Sequence, residues 1–190
     1  MEDGCACVDW LTAAGRVPDN SRIAIVGRSL GSGVAVQVAA RRTVAAVVLL
    51  TPFDSVLAMV RKKIRSAPVR LILRHRFESI KVADKVDAPV LILRAERDDV
   101  VPHPHTDALA ARLPRLADDA VIPGSNHANI PFIAETQVLV RRFLRKSFAL
   151  ADPAAAPLPV AAVEAAPLAA TQPAGAGTGV ASAAITCSMA

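Results

Sequence analysis

SRIAIVGRSLGSGVAV, residues 21–36, runs a short apolar stretch straight into a serine fenced by glycines. Ile23, Ala24, Ile25 and Val26 form the continuous apolar run expected of a parallel strand buried on both faces. Val34 and Val38, with Ala35, Ala39 and Ala40, then predict a short helix over 29–41 that ends at Arg41 and Arg42, cations that suit a helix C-terminus. A strand that reverses into a helix within a few residues forces the corner residue into a strained backbone and lifts its side chain above the sheet. Neighbours two positions away come too close for a Cβ, and in the pattern GxSxG those neighbours are Gly27 and Gly31. The pattern is weak by itself. Strand, turn and helix around it make Ser29 a candidate nucleophile rather than part of an inert glycine-rich helix start. A phosphate-binding loop fits less well, since the stretch holds neither GxxxxGK nor GxGxxG.

The 190 residues leave room for one domain, and a hydrophobic content of 53% is ample for its core. From Ala151 onward alanine, proline, glycine, serine and threonine dominate, with Asp152 and Glu164 as the charges. Such a stretch has too few bulky side chains to offset its ordering entropy, so 151–190 is expected to be a disordered tail. The body, 1–150, carries all 22 basic side chains and all but two of the 17 acids, a net charge of +7 against +5 for the chain. That charge is modest for a nucleic-acid binder, and with one Trp, no Tyr and five Phe there is little to stack bases; no nucleic-acid partner is expected. Cys5, Cys7 and Cys187 lack metal-ligand spacing and read as small reduced residues, Cys5 and Cys7 in the core, which points to a cytoplasmic setting. No basic leader opens the sequence and no run of eighteen apolar residues interrupts it. Cys187–Ala190 formally match a prenylation box, but Ser188 is not aliphatic and no basic stretch lies upstream.

Past the serine, VAAVVLLTPFDS at 44–55 predicts a second buried strand and Val90–Leu93 a third, which ends in an acidic loop. DAVIPGSNH predicts a shorter fourth, and 133–148 carries apolar residues at helical spacing. Further helices are predicted at 5–14 and 103–113. Strand and helix alternate, so the sheet should be parallel with helices on both faces, an α/β architecture. Reactive groups then gather at the carboxyl edge of the strands. Ser29 follows the first strand, Asp98 and Asp99 the third, and His127 the fourth. A serine hydroxyl needs a base within hydrogen-bond reach, and the base needs a carboxylate to hold its tautomer. His103 and His105 flank a proline at a helix start and are expected to be solvated. His75 sits in a basic cluster without an acid. No metal site is expected.

The segments IAIVGRSLGSGVA, LLTPFDSV, DAPVLILRAERDDVVP and IPGSNHANI, spread over most of residues 5–146, resemble the α/β hydrolase superfamily, in particular its small lipase, acyl thioesterase and serine-aminopeptidase-like branch. The resemblance implies a triad of Ser29 as nucleophile, His127 as base after the Pro123–Gly124 turn, and Asp98 as acid, four residues before Pro102; Asp99 is the alternative acid. It also implies an oxyanion donor in the backbone N–H of Leu30. The second donor of that fold comes from a loop after an early strand, and this chain carries no such strand: Met1 falls just before the helix that leads into the elbow strand. The expected fold is therefore a partial α/β hydrolase, lacking N-terminal strands, with an unpaired elbow-strand edge open to a partner chain or self-association. An upstream true start, a separate completing chain and a decaying gene product are the three explanations, and the intact downstream motifs favour the first.

Residues 53–87 fall where that fold inserts a lid or a helix. Val56, Met59, Val60 and Ile64 form an apolar stripe, and Arg61, Lys62, Lys63, Arg65, Arg70, Arg74 and Arg76 a cationic set. The set reads as a solvated face, with contact to an anionic membrane surface or an acidic acyl substrate as the sharper alternative. The function the resemblance implies is a serine hydrolase of small carboxylic esters or thioesters, acting through an acyl-enzyme without any cofactor. A catalytically silent fragment acting as an interaction module is the alternative, and acyltransferase or lyase chemistry can use the same serine.

Overall fold

The structure, a computed structural model, describes residues 2–63, 77–151 and 183–187. Helix α1 (Glu2–Ala13) leads through a 3-10 turn at Asn20–Arg22 into β1 (Ile23–Arg28), followed by α2 (Leu30–Ala39) and β2 (Ala46–Leu50). Helix α3 (Val56–Lys63) and two 3-10 turns, Ser79–Lys81 and Ala83–Lys85, precede β3 (Val90–Arg97). Helix α4 (His103–Ala110), β4 (Leu116–Asn126), a 3-10 turn at Ile130–Phe132, α5 (Ala134–Ala151) and β5 (Ala183–Cys187) complete the described elements.

The strands form one sheet in the order β4-β3-β2-β1-β5 with every neighbour parallel. In the central strands successive side chains go to opposite faces and both faces are covered, so β2 is buried at every position. On one face Ile23, Ile25, Val47, Leu49, Val90 and Ile92 pack against α1, α2 and α4 through Val8, Ala35, Val36 and Leu109. On the other, Val48, Leu50, Leu91 and Leu93 meet Ile122, Ile130 and the α5 residues Leu139, Val140, Phe143 and Leu144. Each large aliphatic side chain so buried contributes about 1.5–3 kcal/mol, which is why this pair of layers, rather than any single contact, holds the carboxyl edge of the sheet in place.

Polar ties set the margins. Arg42, just past α2, clamps Asp9 of α1 with Nε and Nη2 at 2.6 and 2.7 Å. At the outer side of the sheet Arg94 donates twice to Asp119 of β4, both at 2.6 Å, and also binds Asp107 of α4.

Several expectations are corrected. Strand β4 begins at Leu116, ahead of DAVIPGSNH, and its first half is exposed, because an edge strand needs apolar residues on little of its surface. Strand β3 runs on to Arg97, and α4 stops at Ala110. Cys5 is buried but Cys7 is exposed, since α1 turns only one side to the core. Within the segment read as a disordered tail, residues 183–187 form β5 and pair with β1 from Ile23↔Ala183 to Gly27↔Cys187. The elbow-strand edge expected to stand open is thus occupied by the chain itself: an unsatisfied row of N–H and C=O groups outweighs the weak strand propensity of an alanine-rich segment. The rest of the tail, 152–182 and 188–190, lies outside the described residues. So do 64–76 of the lid segment, with His75, Ile64, Arg65, Arg70, Arg74 and Arg76.

Candidate active site

Ser29 has φ 48° and ψ −120°, in the left-handed half of the backbone map where a side chain is strained. Its N–H is held by the carbonyl of Leu50 at 3.0 Å, and its own carbonyl accepts both the N–H and the hydroxyl of Ser32, at 2.9 and 2.6 Å. The pinch predicted for the glycines is present at Gly27. A Cβ there would lie 2.5 Å from the Gly31 carbonyl oxygen and 2.7 Å from the Ala35 Cβ. Close strand–helix approach therefore requires glycine, and that approach is what turns the Ser29 side chain out over the carboxyl edge. Leu30 opens α2, so its N–H is among those without an intrahelical acceptor and sits at the positive end of the helix dipole.

The structure brings Ser29, Asp98 and His127 together. The His127 Nε2 lies 2.9 Å from the Ser29 Oγ, and its Nδ1 lies 3.0 Å from each Asp98 oxygen. With Nδ1–H donating to the carboxylate, Nε2 is left as the acceptor for the serine hydroxyl. The Asp98 side chain is 2% exposed and that of His127 12%. Asp98 Oδ1 also accepts the N–H groups of Val100 and Val101, at 3.0 and 2.8 Å, so the acid is fixed by its own turn before it meets the histidine. Asp99 is exposed, and the position beside Nδ1 belongs to Asp98.

The loop that carries His127 is built mostly from polar contacts. Gly124, at φ 68°, makes the turn and donates its N–H to Glu96 at 2.8 Å. The buried Ser125 hydroxyl donates to Ile122 and accepts the N–H of Glu96. Asn126 and Asn129 then bracket the histidine: Asn126 Oδ1 accepts from Ala128 and Asn129, while Asn129 Oδ1 accepts from Asn126. Ile130, fully buried, anchors the far end. Arg28, between Gly27 and Ser29, donates from Nη2 to the His127 carbonyl at 3.1 Å.

Two histidines expected to be solvated have partners within the protein. His103 Nε2 lies 2.9 Å from the Ala95 carbonyl, and His105 Nδ1 lies 2.8 Å from Asp54, both members of that pair more than four-fifths buried. Together with the Thr106 hydroxyl on the Pro52 carbonyl, His105 fastens the start of α4 to the loop after β2. Sequence reasoning also missed Arg28, Glu96 and the two asparagines. The signal for Arg28 was a full charge at the end of an otherwise buried strand; the asparagines spaced three apart around a histidine marked a side-chain-closed turn. Among the described residues no three metal-ligating side chains gather, and no helix is long and apolar enough to cross a membrane.

Residues 1–144 match the model of the prolyl oligopeptidase family. An uncharacterized protein of Mycobacterium tuberculosis is 35% identical over 151 residues, which cover 78% of this chain and 53% of that one. Alpha/beta hydrolase domain-containing protein 17C of Xenopus tropicalis is 30% identical over 133 residues, covering 70% of this chain and 41% of its own length. The chain spans about half the length of the curated relatives it matches. Among solved structures, the acetyl xylan esterase of Paenibacillus sp. R4 shares the fold with a TM-score of 0.62 at 21% identity, over 76% of this chain and 51% of the esterase.

Proposed function

Because this chain belongs to the prolyl oligopeptidase family, within the α/β hydrolase superfamily, we propose that it is a serine hydrolase that cleaves small carboxylic esters or thioesters through an acyl-enzyme. The observation that carries the reading is the unbroken hydrogen-bond chain from Ser29 through His127 to Asp98, at 2.9 and 3.0 Å. In the first step the Ser29 oxygen attacks the substrate carbonyl carbon while its proton passes to His127 Nε2. The imidazolium so formed is stabilised by Asp98 across the Nδ1–H bond. Negative charge collects on the former carbonyl oxygen, where the Leu30 N–H donates; such a donor is worth about 3–4 kcal/mol in the transition state. Collapse of the tetrahedral species breaks the bond to the leaving oxygen or sulfur, which takes the proton from His127. Water then repeats the sequence on the acyl-serine, releases the acid and returns the proton to Ser29.

The acyl preference is supported by two exposed apolar side chains close in sequence to the reacting groups, Leu30 directly after Ser29 and Val100 two residues after Asp98. A second reading, hydrolysis of peptide bonds, is favoured by the family match itself. Turnover of p-nitrophenyl esters of increasing chain length, alongside aminoacyl p-nitroanilides, separates the two. Ester turnover well above anilide turnover is expected, and activity confined to the anilides would refute the ester reading. The alternative, a silent interaction module, would act through the outer edge of β5, since β5 pairs with the β1 edge.

A further inference from the structure

Arg28 ends β1 on the face shared with Val26, the face that packs toward α5. It sits one residue before the nucleophile, yet its guanidinium reaches the main chain of the base 99 positions away. Its Nε is buried and has no acceptor among the described residues. We propose that Arg28 is the positioning residue for His127, tying the loop that carries the base to the strand that carries the nucleophile.

The argument is one of restraints. The His127 ring is held at Nδ1 and Nε2 by Asp98 and Ser29, but a ring is well placed only if its main chain is fixed as well. The other side-chain ties on residues 124–126 run to Glu96 of β3, the strand that leads to the acid, or close within the loop and its preceding strand. None of those reaches β1. The Arg28 bond supplies the missing side of a triangle whose corners are the nucleophile strand, the acid strand and the base loop. An ionised donor on a carbonyl is stronger than a neutral pair, and the planar guanidinium keeps its direction. Leaving Nε unpaired in the interior is unfavourable, so the side chain is held in this place by its other contacts and not by full satisfaction of its donors.

The proposal rests on the hydrolase reading for its catalytic consequence but not for its geometry, and the experiment separates the two. In the full chain, Arg28→Met and Arg28→Gln are compared with the parent by three readouts. One is the low-field proton resonance of the His127 Nδ1–H bonded to Asp98, which needs no substrate; the others are the rate of labelling by a fluorophosphonate, and kcat and KM on p-nitrophenyl butyrate. Loss or broadening of the low-field resonance is expected in both variants, with kcat lowered about 10- to 100-fold, the range that follows a displacement of up to 1 Å, and KM within about twofold. Arg28→Lys should restore part of kcat, because it returns one charged donor without the fork. If Arg28→Met lowers the urea midpoint to the point of unfolding, Arg28→Gln decides. Parent-like resonance and kcat in a folded variant would overturn the proposal. A parent chain that neither labels nor turns over, yet loses its resonance on substitution, would refute the hydrolase reading and leave the positioning role standing.

Discussion

Replacing Gly27 by alanine tests whether the elbow works by close approach. The added methyl would lie 2.5 Å from the Gly31 oxygen and 2.7 Å from the Ala35 Cβ, where ordinary contacts begin at 3.4 Å. One obstacle is backbone and the other a Cβ fixed to its helix, so neither can turn aside. Helix α2 must move out by several tenths of an ångström or β1 must bend. Overpacking of this kind costs about 1–3 kcal/mol, a large share of a domain stability of about 5–15 kcal/mol. The movement also shifts Ser29 and the Leu30 N–H relative to His127, and misplacement approaching 1 Å lowers rates by about 100-fold. Urea unfolding followed by circular dichroism should show a lower midpoint at unchanged slope, and fluorophosphonate labelling should slow more than the loss of folded chain explains. Gly27→Ala with the parent midpoint and labelling rate would refute the argument that glycine is needed for packing at the corner.

Three further outcomes follow from the structure. Thr136 is 2% exposed and its hydroxyl has no partner among the described residues, so Thr136→Val should raise stability by about 1–2 kcal/mol in urea titrations. Arg42 beside Asp9 holds that carboxyl below the usual carboxylate range, chiefly through their hydrogen bond. A lowered folded-state value means the contribution is present above the ordinary carboxylate value and lost as pH falls through the folded one, so Asp9→Asn should be less stable than the parent at neutral pH and match it in strong acid, as read by unfolding midpoints across pH. Successive N–H groups of a strand point to opposite sides, so the double substitution Ile185→Pro, Thr186→Pro must remove a ladder donor between β5 and β1. Light scattering after size exclusion should then show larger species than the parent, with faster amide exchange at 24–27.

The elbow was legible because its determinants are local: a buried parallel strand reads as an unbroken apolar run, and Gly27 and Gly31 mark the pinch beside it. Ser29, Asp98 and His127 were legible through the resemblance, and the choice of Asp98 over Asp99 came from a turn spacing that the Val100 and Val101 N–H bonds explain. What stayed hidden depended on distant partners. Strand β5 holds three small alanine or cysteine positions and gains its form from the β1 edge, not from its own propensity. The predicted fourth strand opened at Asp119 and left out Leu116, Ala117 and Asp118, because two of these three are exposed and give no apolar run. His105 looked solvated because Asp54 lies 51 residues away in sequence.

The central claim is that the Ser29 hydroxyl is activated by His127 and Asp98, and the most direct measurement is the labelling of the folded full chain by a fluorophosphonate, with the modified residue located by mass spectrometry. The account predicts a single phosphonylated site at Ser29, abolished in Ser29→Ala and slowed about 1,000-fold or more in His127→Gln. A folded chain that stays unlabelled, or one that carries the label on another residue, would contradict it.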